Sequence, residues 1–296
     1  MKSLIEGAYD LHVHSAPDVL PRKMDDLEMA QRIVKAGMKG YAIKSHYFAT
    51  SERAQIVNKL YPHCDLVGTI TLNNSVGGIN PAAVEMAARS GVRLVWFPTC
   101  DGAHEQKCVF DESNPGKKLP YWAQIVIQMK EDGIVSNPIT VLDESGKLTQ
   151  NTIQVLEIIK KYNIILATAH LSHQETFALV KEAKNIGIEK IIITHADFPT
   201  TFYTIEEQKE LVAMGGYIEH CYTTWATGKV AFETTVEQIK AIGCDHIVLG
   251  TDLGQPTALY PDEGLLEFAT KLVEAGIPEE EVVKMTVRNN VNLLKR

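Results

Sequence analysis

The sequence predicts a (β/α)8 barrel with a long insertion after the fourth strand. Three observations carry this reading. Eight short apolar runs recur along the 296 residues, amphipathic stretches of helical period lie between them, and glycines fall just past most of those stretches. Serial βα units require parallel strands, and eight of them close into a barrel. A doubly wound open sheet is the structural alternative, but it carries a glycine-rich phosphate loop after its first strand. Here the first strand runs into HVHSAPD, which holds no glycine.

The eight runs are Ala8 to His14, Gly40 to His46, Leu66 to Leu72, Arg93 to Pro98, Ile164 to His170, Lys190 to His195, Gly216 to Tyr222 and His246 to Asp252. Helices are expected over Met24 to Ala36, Pro81 to Ser90, Leu148 to Tyr162, Gln174 to Ile186, Ile205 to Met214, Thr234 to Ile242 and Gly264 to Ala275. One connection is long. Residues 99–150 read as an insertion over the strand C-termini, able to act as a lid, with a small hairpin at Ile139 to Leu142 and a DESGK turn. The whole chain reads as one barrel domain.

Composition bounds the partners. Apolar residues make up 45% and charged residues 22%, as in an ordinary globular protein. A net charge of -8 without long like-charge blocks argues against nucleic acid or an anionic membrane as the main partner. A small-molecule substrate is expected, and a homo-oligomer is compatible. The N-terminus shows no signal-peptide pattern, and no apolar run is long enough to span a membrane. Five scattered cysteines without a CxxC pair predict free thiols in a reducing cytoplasm.

The chemistry is positional. Strand 1 reads Asp10-Leu11-His12-Val13-His14, and alternation places Asp10, His12 and His14 on one face. Two imidazoles so spaced can chelate one metal, although a hydrogen-bonded core pair would look the same. The pattern then recurs: strand 5 ends in His170, strand 6 in His195 and strand 8 in Asp252. Barrel active sites form at these C-terminal strand ends. Buried imidazoles and carboxylates are costly unless paired or coordinated, so the recurrence predicts a metal site.

The order HxH, His, His, Asp at the ends of strands 1, 5, 6 and 8 resembles the amidohydrolase superfamily of metal-dependent hydrolases. VRNNVNLL at the C-terminus is similar to that family's closing helix start, without its proline. DLHVHSAPD, AIKSHY, ATAHLSHQE and ITHADFP further resemble a group of uncharacterised amidohydrolase-like proteins. The resemblance implies that His12 and His14 hold a buried divalent metal with Asp252. His170 and His195 would complete the site or bind a second ion. Zinc is the first expectation, with manganese or iron as alternatives, at one or two ions per chain. Asp252 would take a proton from the nucleophilic water, and His195 is expected beside it as a catalytic residue.

The pattern also departs from the family. Many binuclear members carry a carboxylated lysine or a glutamate at the end of strand 4, but here RLVWFPTCD offers only Asp101. A lysine stands on strand 2 instead, where alternation puts Lys44 and His46 on one face. Lys44 could bind a substrate anion, bridge two metals as a carboxylated lysine, or pair with Asp10 or Glu219. His46, Arg22, Glu219 and His220 are candidate substrate-binding residues, and only one of Glu219 and His220 can face the pocket. Asp197 and Phe198 are expected at the pocket rim. His173 is left out of the metal set, and His63, His104 and His246 read as surface or loop residues.

The leading functional reading is hydrolysis of a C–N or C–O bond in an amide, cyclic amide, ester or lactone by metal-activated water. Metal-dependent decarboxylation of an aromatic acid is the alternative, since some barrels of the superfamily keep HxH, His and Asp without the bridging lysine. Phosphoester hydrolysis ranks third. A binding protein on a decayed barrel ranks last, because it would have lost ligands that are intact here.

Overall fold

The computed structural model describes residues 4–111, 113 and 119–295. Residues 112 and 114–118 of the insertion lie outside the described residues. Eight parallel strands form one sheet in sequence order. They are β1 (Tyr9–Val13), β2 (Gly40–Ile43), β3 (Asp65–Thr71), β4 (Leu94–Trp96), β5 (Ile165–Ala167), β6 (Ile191–Ile193), β7 (Gly216–Cys221) and β8 (Ile247–Gly250). Every expected strand is present, and the sheet curls into the expected barrel.

The strands are shorter at their C-terminal ends than the apolar runs. His14, His46, His170, His195 and Asp252 all fall just past the last laddered residue. The backbone turns sharply there: Ala169, His195 and Asp252 each adopt φ of 54°, a left-handed conformation that residues other than glycine rarely take. Such strain concentrates where a side chain must be aimed.

Around the sheet lie α1 (Asp26–Lys35), α2 (Ser51–Leu60), α3 (Pro81–Arg89), α4 (Ala103–Val109), α5 (Tyr121–Glu131), α6 (Gln150–Tyr162), α7 (His173–Asn185), α8 (Ile205–Ala213), α9 (Tyr222–Ala226), α10 (Phe232–Ile242), α11 (Pro261–Glu274), α12 (Glu279–Val283) and α13 (Asn289–Leu294). Their starts follow from capping chemistry. Ser172 and Glu175 form a reciprocal capping box at α7, as do Thr204 and Glu207 at α8. The sequence reading omitted α2. Its apolar face is poorly segregated, since Ala54 and Val57 are buried while Ile56 and Leu60 are exposed.

The insertion is more structured than expected. It contributes α4 and α5, and the expected hairpin is reduced to a single antiparallel bridge between Leu142 and Leu148. Cys100, Val109, Trp122 and Ala123 form a small core of their own, with Leu20 from the loop after β1 packed against it. Asn74, after β3, donates through Nδ2 to the carbonyl of Asn137 at 3.0 Å. The insertion therefore touches the loops at the C-terminal face of the barrel.

The sheet closes between β1 and the segment after β8. The N–H of Asp252 donates to the His12 carbonyl, and that of His14 to the Leu253 carbonyl, both at 2.8 Å. Gly254 permits this approach, because a Cβ there would lie 1.8 Å from the His14 carbonyl oxygen. From the opposite side, Asn290 of α13 donates through Nδ2 to the carbonyls of Tyr9 at 2.7 Å and Leu249 at 3.2 Å. VRNNVNLL thus fastens the seam between first and last strands.

Candidate metal centre

The seam brings together the residues that head the sequence argument. Asp252 Oδ1 lies 3.1 Å from His14 Nε2 and 3.2 Å from His12 Nε2. One ligand atom from each of these three residues fits within a 4.8 Å cluster. Thr223, at the start of α9, donates to Asp252 Oδ2 at 3.0 Å. Burial raises the affinity of Asp252 for a proton, but the His12, His14 and His195 rings outweigh it and hold the carboxyl well below its usual range. Asp252 is therefore an anionic carboxylate among imidazoles.

His12 is oriented from behind. Its Nδ1 lies 3.1 Å from Glu219 Oε2 and 3.2 Å from Oε1. A proton on Nδ1 directed at this carboxylate leaves Nε2 unprotonated and facing the centre, an arrangement typical of metal-ligating histidines. Glu219 is thus the inward residue of β7. Cys221, two residues on, shares its face and lies 3.6 Å from His12 Nδ1. His12, His195, Glu219 and Cys221 form a second set of donors within 4.8 Å of one another.

Lys44 is 1% exposed, with Nζ 2.7 Å from His12 Nε2 and 4.4 Å from the centre of the Trp96 ring. Burial pushes its pKa down, against the opposing charges of Asp252 and Glu219. Its hydrogen-bond partner is His12. Of the alternatives for Lys44, an ion pair with Asp10 is not formed, because Asp10 accepts instead from Thr251 Oγ1 at 2.5 Å and from the N–H groups of Thr251 and His12, each at 3.1 Å.

Arg22 and His46 flank His14. Arg22 is clamped by Asp18 at 2.6 Å and approaches His14 Nδ1 at 3.2 Å. The His46 ring stacks on His14 with centres 4.9 Å apart, while its Nδ1 contacts Thr99 Oγ1 at 2.8 Å. Burial lowers the pKa of both rings well below the usual histidine value, reinforced by Arg22 at His14 and by His14 at His46. Both are neutral and able to act as bases or ligands.

His195 and His170 form the other wall. The His195 ring lies 4.9 Å from that of His12 and 5.3 Å from that of His170, and its Nε2 is 3.9 Å from Asp252 Oδ2. His195 Nδ1 and both His170 nitrogens are buried without a hydrogen bond, although Glu105 Oε2 stands 3.3 Å from His170 Nδ1. Orphaned imidazole nitrogens are costly, and a metal ion would satisfy one nitrogen of a ring that reaches it. The donor set therefore fits a divalent ion, with His12, His14 and Asp252 as the tightest group and His195 beside them. His170 stands farther out, next to Glu105 of the insertion, with Phe198 covering both outer rings.

Three residues singled out from the sequence, His220, Asp197 and Asp101, lie elsewhere. His220 points out of the barrel, the necessary consequence of Glu219 pointing in. Its Nδ1 lies 3.0 Å from Asp197 Oδ2, which also accepts from Thr235 of α10. Asp197 is therefore buried behind the wall and not at the rim. Asp101 also turns away and accepts from the N–H of Asn74 at 2.8 Å. Trp96, Cys221, Thr223 and Glu105 entered the site without having been singled out from the sequence. Alternation from Glu219 could have found Cys221. Nothing local marks Glu105, since its approach depends on the fold of α4.

The family described as "Family of unknown function (DUF6282)" matches residues 7–219. The chain belongs to DUF6282. The matched span of this DUF6282 protein takes in His12, His14, Lys44, His170, His195 and Glu219, while Asp252 lies beyond it. No curated protein matches the chain. Among solved structures it is similar to an amidohydrolase from Pseudomonas aeruginosa, with 12% identity, a TM-score of 0.64, and coverage of 98% of this chain and 97% of that one. It is similar to YJJV, a TatD homologue from Escherichia coli K12, at 14% identity and a TM-score of 0.58, covering 98% of each chain. The lactonase Lmo2620 from Listeria monocytogenes gives 14% identity and a TM-score of 0.53, with coverage of 99% and 97%. At such identities the likeness establishes a shared barrel fold, the one that the strand-end pattern led us to expect.

Proposed function

We propose that this DUF6282 protein is a metal-dependent hydrolase that cleaves a C–N bond of an amide or cyclic amide, or a C–O bond of an ester or lactone, in a small molecule. The observation that carries the proposal is the convergence of His12, His14 and Asp252 on one point at the barrel seam. Imidazole nitrogen and carboxylate oxygen suit zinc first, with manganese and iron also compatible. The solved relatives described as an amidohydrolase and a lactonase support the reaction class.

A bound divalent ion would supply an acidified water and polarise the substrate carbonyl. His12 and His14 would hold it, with Asp252 between them and His195 alongside. Asp252, kept ionised by its neighbours, accepts the proton of the attacking water at Oδ1 or Oδ2 and returns it to the leaving group. His195, neutral through burial, stands ready to support the oxyanion. Lys44 and Arg22 give the pocket two cations, which suits a substrate carrying a carboxylate or phosphate. His46 lines the same side through its stack on His14.

Trp96 favours one second reading. It ends β4 with its ring 4.6 Å from that of His12, so the strand offers an indole there and no anionic group to bridge two ions. A single-ion site of this kind would also suit decarboxylation of an aromatic acid. Five scattered cysteines without a CxxC pair support a reducing, cytoplasmic setting; no helix among the described residues is long and apolar enough to cross a membrane.

Elemental analysis of the purified protein, followed by assay against amides, cyclic amides, lactones and aromatic acids, tests the proposal. One or two equivalents of zinc, manganese or iron with hydrolytic turnover is the expected result. A protein that neither carries nor takes up these ions would overturn it. CO2 release from an aromatic acid without uptake of water would replace hydrolysis with decarboxylation.

A further inference from the structure

Glu105 lies on α4 of the insertion, outside the set of strand ends that builds the rest of the site, yet its side chain is almost fully buried at 3% exposure. Its Oε2 lies 3.3 Å from His170 Nδ1 and accepts the Thr200 hydroxyl at 2.7 Å. The preceding residue reinforces this docking, since His104 Nε2 reaches the Thr200 carbonyl at 2.6 Å. Two adjacent side chains of α4 thus clamp the loop after β6, and the carboxylate so fixed sits against the His170 ring. A buried carboxylate needs such partners.

We propose that Glu105 is a positioning residue for His170. Its negative charge draws the ring proton to Nδ1, so that Nε2 keeps a free lone pair for the metal centre. The reason is electrostatic: with a carboxylate oxygen 3.3 Å from Nδ1 in a dry setting, a proton on that nitrogen is preferred over a lone pair. His12 also faces a carboxylate through Nδ1, and there Glu219 is hydrogen-bonded to it at 3.1 Å. The two histidines differ in where the carboxylate comes from. Glu219 stands on a barrel strand, whereas Glu105 arrives only when the insertion has folded and docked. The insertion is then a working part of the site, and His170 is correctly poised only with α4 in place.

The inference rests on the metal-centre reading, but its first test needs no metal. In metal-free protein with 15N-labelled histidine, two-bond proton–nitrogen correlations report the tautomer of His170, whose signals are identified by their loss in His170→Gln. The wild type is expected to hold the Nδ1–H form. Glu105→Ala is expected to move His170 toward the Nε2–H form, and Glu105→Asp to restore part of the wild-type pattern, which guards against a simple folding defect. Zinc titration by calorimetry is expected to show about a 10–100-fold loss of affinity in Glu105→Ala at unchanged stoichiometry. An Nε2–H tautomer in the wild type, or a tautomer unchanged by Glu105→Ala, would overturn the proposal. So would loss of a whole zinc equivalent with the tautomer intact, which would make Glu105 a direct ligand. If the wild type binds no zinc, the metal-centre reading fails, while the tautomer measurement still decides the role of Glu105.

Discussion

Asp252 meets His12 twice: its backbone N–H donates to the His12 carbonyl at 2.8 Å, and its Oδ1 lies 3.2 Å from the His12 Nε2. The backbone contact joins the two ends of the sheet, and the side-chain contact joins two candidate ligands. One geometry serves both purposes.

That double contact predicts a clean separation by mutation. Asp252→Asn keeps the backbone bond, and asparagine tolerates the left-handed conformation at this position. Folding is expected to survive, while zinc affinity falls by more than the about 100-fold that marks the loss of a merely orienting partner. Calorimetric zinc titration alongside a urea unfolding curve checks both halves. Unaltered affinity would remove Asp252 from the metal set.

Glu219→Gln is expected to weaken zinc binding by about 10–100-fold while leaving the stoichiometry intact, because His12 remains but loses the anion that fixes its ring. Competition with a chelator of known affinity reads the change. An equal affinity would mean that the ring is held by its packing alone, against Trp96 and His195.

Asn290→Leu tests the rear of the seam. The change keeps the side-chain size but strips donors from the carbonyls of Tyr9 and Leu249. Each buried acceptor left unpaired costs about 1–3 kcal/mol. A loss of at least about 2 kcal/mol in urea unfolding is expected.

Two opposing pH effects are expected in the metal-free protein. Burial lowers the pKa values of His14, His46 and His195, so below about pH 6.5 the unfolded chain takes up protons that the folded chain refuses, and stability falls with acid. Asp10 acts in the other direction. Burial raises its pKa from 3.8 to about 7, so the folded state holds a proton that the unfolded state releases, and this contribution is lost as pH rises from about 4 to about 7. Comparing Asp10→Asn with wild type isolates the second effect. The stability advantage of wild type over the variant is expected to shrink across that window and to level off above it.

The fold was legible because its signals repeat. Apolar runs and amphipathic stretches alternate along the chain, and each strand-end ligand adds to the others. His12, His14 and Asp252 could be read from this repetition alone. α2 was missed because its apolar residues do not sort onto one face. The choice between Glu219 and His220 was beyond the sequence, since alternation says that they oppose each other but not which points inward. Glu105 was out of reach for a different reason. Its place depends on how the insertion packs on Thr200, and no periodic pattern encodes that contact.

The seam has a further consequence for how the protein comes into being. His14 and Asp252, which approach to 3.1 Å, are 238 residues apart in the chain. As synthesis proceeds, the histidine pair emerges first, and its carboxylate partner follows only 238 residues after His14. Until then the early histidines belong to an open sheet with no closed pocket. The last strand therefore finishes the barrel and brings the centre into existence in the same event, so a nascent or truncated chain that stops short of Asp252 is expected to be inert.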